Sequence, residues 1–139
     1  MGDFVIPETI GLPNKGGCSV VEIASLAFEN CVNITEITIP DTVITIGLRA
    51  FKGCTHLNKV TIGASVQQIN NMAFQQCVRL SNIIVPDNLT VIGNFAFADC
   101  EGIRVITIPE SVTSIGDYAF SGCTGLTSVN IPESLTSIG

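Results

Sequence analysis

Phenylalanine and cysteine recur along this chain at a fixed interval of 23 residues. The phenylalanines are Phe28, Phe51, Phe74, Phe97 and Phe120. The cysteines are Cys31, Cys54, Cys77, Cys100 and Cys123. A domain assembled from unrelated elements has no reason to space its apolar residues so evenly. The repeat therefore predicts a stack of near-identical coils, in which each coil buries its apolar side chains against its neighbours.

Each repeat contains a short segment that is typical of a β-strand. Leu57, Val60 and Ile62 follow the pattern L-x-x-V-x-I, which alternates at its end and is rich in β-branched residues. A proline follows the last apolar residue in most repeats, at Pro40, Pro86, Pro109 and Pro132. Because proline has no N–H with which to continue a ladder, we expect the strand to end there.

The second half of each repeat predicts another extended piece and then a short helix. In "SVTSIG", Val112 and Ile115 are apolar, and the residues between them are polar. This piece ends at Gly47, Gly93, Gly116 and Gly139, or at Asn70 in one repeat. Since glycine and asparagine tolerate positive φ, we expect a left-handed turn residue at this position of these coils. Ala24 stands at the same position of the first full coil, which is therefore expected to turn differently. Phe120 and Cys123 stand three residues apart, which predicts about two helical turns with some 3₁₀ geometry.

The repeating unit, I-P-x-S-V-T-x-I-G-x-x-A-F-x-x-C-x-x-L-x-x-V-x, resembles the BspA-type leucine-rich repeat, and the resemblance covers Gly16 to Gly139. It implies the fold class α/β, in the form of a leucine-rich-repeat solenoid. Such a solenoid is a horseshoe-like, right-handed stack of strand–turn–short-helix coils. We expect one domain over residues 1–139, with a degenerate N-terminal unit at 1–15, five repeats at 16–130 and a truncated repeat at 131–139.

Charge and hydropathy argue against several classes of partner. The net charge of -6 repels a phosphate backbone, so no nucleic-acid partner is expected. No apolar stretch reaches the roughly 18 residues of a membrane span, and the chain starts without an export signal, so no membrane insertion is expected. A hydrophobic content of 46% fills a core without a metal or cofactor, and no cofactor is predicted.

The six cysteines are interpreted as structural. The sequence lacks the C-x₂₋₄-C pairs of zinc sites. Neighbouring strands in a stack lie roughly 4.8 Å apart, which does not by itself give the Cβ geometry of a disulfide. We expect the repeat cysteines to be small buried apolar residues and Cys18, which lies outside the repeat, to be a free thiol. This interpretation leaves the redox compartment open.

Catalytic machinery is not evident, and we expect no enzymatic activity. His56 is the single histidine and is interpreted as a solvated loop residue, because a general base also needs an orienting partner and a substrate pocket. Acidic residues follow the prolines at Asp41, Asp87, Glu110 and Glu133. A calcium ladder is one interpretation of this row. The Gly-Gly-x-Gly-x-Asp pattern of calcium β-helices is missing, which favours turn residues facing water and no metal site.

The outward-facing strand residues form the candidate binding surface, since the function of a solenoid lies on its surface. They are Glu36, Thr38, Lys59, Thr61, Asn82, Ile84, Val105, Thr107, Ser128 and Asn130. Because the strands stack side by side, we expect one continuous, nearly uncharged patch. The family resemblance implies a surface-exposed or secreted microbial protein that binds host proteins, extracellular matrix or other cells. We therefore expect a non-enzymatic protein-binding or adhesion module, located extracellularly or at the cell surface.

An alternative interpretation assigns these residues no ligand. Thr and Asn are well suited to solvated strands, and the chain would then be a structural spacer or a self-associating scaffold segment of a larger surface protein. The last repeat stops at Gly139, before its Ala-Phe and Cys positions. Because an interior coil is covered by two neighbours, we expect the strand from Leu126 to Ile131 to be an open edge. The chain is then either a fragment of a longer array or an oligomer that associates through this uncapped coil.

Overall fold

The computed structural model describes residues 2–12 and 15–139, which contain fourteen short β-strands. The first seven are β1 (Gly2–Val5), β2 (Thr9–Leu12), β3 (Lys15–Ser19), β4 (Glu22–Ile23), β5 (Ile34–Thr38), β6 (Thr45–Ile46) and β7 (Lys59–Thr61). The others are β8 (Gln68–Ile69), β9 (Asn82–Ile84), β10 (Val91–Ile92), β11 (Val105–Thr107), β12 (Ser114–Ile115), β13 (Ser128–Asn130) and β14 (Ser137–Ile138).

The strands stack in parallel along two sides of the coils. On one side, β1, β5, β7 and β9 form a sheet in that order, and β11 pairs with β13. On the second side, β4, β6, β8, β10, β12 and β14 form one six-stranded sheet. Partners stand one repeat apart, so that Val60 pairs with Ile83 and Ile92 with Ile115. The predicted solenoid with a 23-residue register is therefore confirmed. Near the N terminus, β2 and β3 form an antiparallel pair.

The third side of each coil is a six-residue turn, and the predicted short helix is wrong. These turn segments are residues 25–30, 48–53, 71–76, 94–99 and 117–122. Each contains two residues with positive φ, as at Arg49 (55°) and Gly53 (72°), and a right-handed helix cannot pass through such residues. The described residues form no helix, and so none that could cross a membrane.

Alternate amides of the turn segments donate hydrogen bonds to the next coil. The amide of Phe51 donates to the carbonyl of Ala73 at 2.8 Å, and that of Gly53 to Gln75 at 2.8 Å. The same pattern recurs in the coils on either side. The turn segments thus form a third ladder, which satisfies backbone groups that a helix would have satisfied within one coil.

The glycines that end the second strands do not supply the predicted left-handed turn. Gly53 and Gly122, which lie within the turn segments, are the described glycines with positive φ. Gly93 is required for a different reason: a Cβ there would lie 2.6 Å from both the amide nitrogen and the Oδ1 of Asn71. The close approach of successive coils, and not a left-handed backbone conformation, therefore explains why glycine stands at this position.

The core contains the predicted spine of stacked phenylalanine rings. The ring centroids of Phe28, Phe51, Phe74, Phe97 and Phe120 are separated in succession by 5.1, 5.1, 5.4 and 5.5 Å. Phe51, Phe74 and Phe97 are fully buried. Phe4 extends the spine at its N-terminal end, since it packs edge-on against Phe28 with centroids 5.5 Å apart. The spine ties neighbouring coils together through one continuous apolar column.

Candidate functional site

The ten predicted surface residues lie on β5, β7, β9, β11 and β13, which stack along one side of the solenoid. We call this side the strand face. Glu36 and Thr61 are half-buried, and the other eight are exposed. Strand pairing aligns them in rows, with Glu36 beside Lys59 and Thr38 beside Thr61. The side chains stand on a backbone that is held by hydrogen bonds along most of the stack, which gives the face a fixed shape.

The strand face is interrupted between β9 and β11, contrary to the expectation of one continuous patch. These neighbouring strands are not hydrogen-bonded to each other, whereas β7 pairs with β9 and β11 with β13. Ile83 on β9 is only half-buried, although its equivalents Val60 and Ile106 are buried. The interruption is flanked by the two most apolar residues of the face, Ile84 and Val105, which are 65% and 58% exposed.

β1 adds residues to the strand face that sequence reasoning missed. Its pairing with β5 places Asp3 beside Glu36 and Val5 beside Thr38. Val5 is 68% exposed. The signal was present in the order Phe4, Ile6, Pro7, which matches the inward residues and the proline of a later repeat. The longer spacing to the next repeat, 33 residues from Pro7 to Pro40 instead of 23, concealed it.

Three polar side chains of the strand face already have partners within the chain. The Nζ of Lys59 lies 3.1 Å from Oε2 of Glu36, and water reaches both side chains, so the pair contributes little to stability. The side-chain amide of Asn130 donates to the carbonyl of Ile108 at 2.9 Å and accepts from its N–H at 2.8 Å. Asn130 therefore extends the ladder between β11 and β13, and its amide is engaged.

The acidic row expected after the prolines lies at one edge of the strand face. Asp41, Asp87, Glu110 and Glu133 are exposed, and Glu8 occupies the same position of the first coil, after Pro7. Oδ1 of Asp41 accepts a hydrogen bond from the amide of Ala64 at 2.7 Å. Across residues 2–12 and 15–139, no three His, Cys, Asp or Glu side chains come together in a way that could hold a metal ion.

The buried cysteines form a ladder of hydrogen bonds beside the phenylalanine spine. Cys54, Cys77, Cys100 and Cys123 are buried as expected, Cys31 in the first coil is half-buried, and Cys18 is exposed. All six are free thiols. Burial raises the pKa of Cys54 to about 11, and it raises that of Cys77 well above the usual range, with smaller contributions from the neighbouring thiols. Such thiols are poor nucleophiles and poor metal ligands at neutral pH.

His56 is not the fully solvated residue that was expected. It is half-buried, and its Nδ1 is buried without a hydrogen-bond partner among the described residues.

Comparison with known proteins assigns the chain to a family. Residues 21–139 match six copies of the BspA type leucine rich repeat region. Among solved structures, the chain is 33% identical to a leucine rich repeat protein of T. pallidum, with a TM-score of 0.88 over 99% of this chain and 68% of that one. It is 37% identical to a leucine rich cell surface protein of Faecalibacterium prausnitzii, with a TM-score of 0.87 over 96% of this chain and 36% of that one.

A more distant structure shares the fold. The pneumococcal vaccine antigen PcpA is 24% identical, with a TM-score of 0.74 over 95% of this chain and 40% of its own length. No curated protein matches the sequence significantly. The chain spans little more than a third of the Faecalibacterium protein and two fifths of PcpA. The repeat motif, its six copies and the solenoid structure agree, and the chain belongs to the BspA-type leucine-rich repeat family.

Proposed function

We propose that this chain is a non-enzymatic protein-binding module that acts in adhesion through its strand face, outside the cell or at the cell surface. The observation that carries the proposal is the exposed pair Ile84 and Val105, the two apolar side chains among the ten predicted surface residues. Large apolar side chains that remain exposed next to each other on a rigid sheet mark sites where a partner is bound. The resemblance to a leucine rich cell surface protein supports the location.

The physical character of the face supports a protein partner over other classes. The net charge of -6 disfavours nucleic acid, and the proposed binding needs neither a cofactor nor insertion into a membrane. The strands that carry the face are fixed on both sides in most of the stack, so a partner would meet side chains with little conformational entropy left to lose. A host or extracellular-matrix protein is the proposed ligand class.

Matched substitutions on two sides of the solenoid test this proposal. One variant carries Ile84→Ser and Val105→Ser on the strand face. The control carries Val21→Ser and Ile44→Ser, which are also exposed but flank β4 and β6 on the second side. Binding of both variants and the unmodified chain to a panel of purified extracellular-matrix proteins is measured by surface plasmon resonance. We expect the face variant to weaken binding at least about tenfold and the control to bind normally. A chain that binds no member of the panel, or equal binding of both variants, contradicts the proposal.

A structural spacer or self-associating scaffold is the second candidate, and the last coil favours it. Val129, Ile131 and Ile138 are 40%, 56% and 62% exposed. An open cavity of about 700 Å³ lies between Phe120 and Ile138. We propose that the 139-residue polypeptide associates through this surface. Light scattering over a concentration series tests it: the mass should rise with concentration and stay monomeric in Val129→Lys, whereas a monomer at all concentrations contradicts association.

A further inference from the structure

A groove runs along the line where the strands of the strand face end. It consists of three adjoining cavities of about 340, 490 and 310 Å³. The first and second share Asp41 and Ile62, and the second and third share Ile84, Val85 and Asp87. The groove thus extends from Val5 in the first coil to Pro109 four coils later. We call it the strand-end groove.

The lining of the strand-end groove combines apolar residues with charge of one sign. Aliphatic residues and prolines dominate it, among them Ile62, Ile84, Val85 and Val105. Each charged side chain along it is a carboxylate, namely Glu8, Asp41 or Asp87. All three are exposed, and none has a salt-bridge partner among the described residues. Such a groove favours a ligand that is cationic and aliphatic at once.

Two backbone amides in the middle of the groove have no acceptor in the part of the chain that the structure describes. In the first two coils, the amides of Ile6 and Ile39 donate to the next strand, at 3.1 and 2.9 Å. The equivalent amide of Ile108 donates to Oδ1 of Asn130 at 2.8 Å. The equivalent amides of Ile62 and Val85 find no partner among residues 2–12 and 15–139. Unpaired donors of this kind attract a carbonyl oxygen.

We propose that the strand-end groove binds an extended polypeptide segment in which basic and aliphatic side chains alternate. In an extended segment successive side chains point to opposite sides, so aliphatic groups contact the floor while Lys or Arg side chains reach the carboxylates at the rim. The segment's carbonyl groups satisfy the amides of Ile62 and Val85. This inference rests on the proposed protein-binding function and adds the chemistry of the partner.

Charge excludes the alternative occupants. An acidic segment would place its carboxylates against Asp41 and Asp87, and an anionic lipid headgroup or phosphate would meet the same repulsion. A purely apolar segment would leave the carboxylates without partners. Ionic attraction at an exposed rim is screened by salt, so binding should weaken as ionic strength rises.

Three labelled peptides of defined sequence test the ligand chemistry by fluorescence anisotropy. The probes are (Lys-Val)₄, (Glu-Val)₄ and (Lys-Ser)₄. An extended peptide of eight residues spans about 26 Å and five stacked coils span roughly 19 Å, so each probe is long enough to follow the whole groove. We expect (Lys-Val)₄ to bind, (Lys-Ser)₄ to bind about tenfold more weakly and (Glu-Val)₄ not to bind. Equal binding of (Lys-Val)₄ and (Glu-Val)₄, or no binding of (Lys-Val)₄, would overturn the proposal.

Two charge-matched variants then locate the peptide. The groove variant, Asp41→Asn with Asp87→Asn, removes two carboxylates of the groove. The control, Glu22→Gln with Glu101→Gln, removes two exposed carboxylates outside the groove. Both variants change the net charge from -6 to -4. The first should weaken (Lys-Val)₄ binding about three- to tenfold, and the second less than twofold. Equal effects of the two variants would overturn the groove as the site.

The same groove variant separates failure of this inference from failure of the proposed function. If Ile84→Ser with Val105→Ser abolishes binding to a matrix protein while Asp41→Asn with Asp87→Asn leaves it unchanged, the partner uses the apolar residues of the strand face but not the carboxylates of the groove. The groove inference then fails and the proposed function stands.

Discussion

The thiol of Cys77 donates a hydrogen bond to the backbone carbonyl of Phe51 in the preceding coil, at 3.2 Å. The same carbonyl also accepts the amide of Cys54 from its own coil, at 3.2 Å. Cys54, Cys100 and Cys123 repeat the thiol contact with Phe28, Phe74 and Phe97. Each repeat cysteine of these coils therefore links its coil to the one before, which is a structural role for a side chain that could otherwise suggest redox or metal chemistry.

Thiol labelling of the folded protein should distinguish the buried ladder from the surface. We expect Cys18 to react first with an excess of a thiol reagent, because it is exposed, and Cys54, Cys77, Cys100 and Cys123 to react only slowly. In denaturant all six should react at similar rates. Mass spectrometry of the labelled peptides measures the order. Rapid native labelling of Cys77 would show that the ladder is accessible.

Stability should fall at alkaline pH because of the same thiols. The folded state holds Cys54 and Cys77 protonated, with raised pKa values, whereas in the unfolded chain they ionise near pH 8.5. The unfolded state therefore binds fewer protons above about pH 8.5, and the free energy of unfolding falls there by about 1.4 kcal/mol per pH unit for each such thiol. Below that pH these thiols give no pH dependence.

Denaturant titrations between pH 7 and 11 measure this slope. The double variant Cys54→Ala with Cys77→Ala is the control, since it is less stable at neutral pH but should lose stability more slowly above pH 8.5. Parallel pH profiles of the two proteins would show that other groups cause the alkaline transition.

Replacing a phenylalanine of the spine by alanine should destabilise the protein most in the middle of the stack. Phe97→Ala should lower the free energy of unfolding by about 3–5 kcal/mol, because the ring is fully buried between Phe74 and Phe120. Phe120→Ala is the comparison: this ring is half-buried and stacks on Phe97 alone, so the loss should be about half as large. Chemical denaturation gives both values, and equal losses would contradict the stacked-spine interpretation.

The fold was predictable to the extent that it depends on which side chains are apolar. The positions of Val60, Ile83 and Phe74 follow from the repeat alone, because burial against equivalent coils requires the same residue types at the same positions. The turn segments were not predictable in this way. Leu26 and Met72 adopt positive φ and donate their amides to the next coil, and no propensity marks a Leu or Met for that conformation.

The strand-face residues were correctly placed on strands, but their local environments depend on pairings between coils. The interruption between β9 and β11 and the engagement of the Asn130 amide arise from contacts one repeat away. The strand-end groove could not be predicted from the sequence. The irregular first repeat hides the fact that Glu8 lies at the same cavity as Asp41.

Glycine substitution tests the close approach of the coils. Gly93→Ala should destabilise the protein by about 1–3 kcal/mol, since its Cβ would lie 2.6 Å from the backbone nitrogen of Asn71. Gly2→Ala is the matched control, because nothing lies within 4 Å of a Cβ at that position. Thermal melts compare the two. A tolerated Gly93→Ala would mean that the coils can separate locally at little cost.

Site-specific photo-cross-linking tests most directly whether the strand face binds the partner. p-Benzoylphenylalanine is placed either at Thr107, which is exposed on β11, or at Ser121, which is exposed on a turn segment. Each protein is irradiated with the matrix protein that binds most strongly in the panel described above, and covalent adducts are quantified by gel electrophoresis. We expect adducts from position 107 and few from position 121. Adducts from position 121 in equal or greater yield would contradict it.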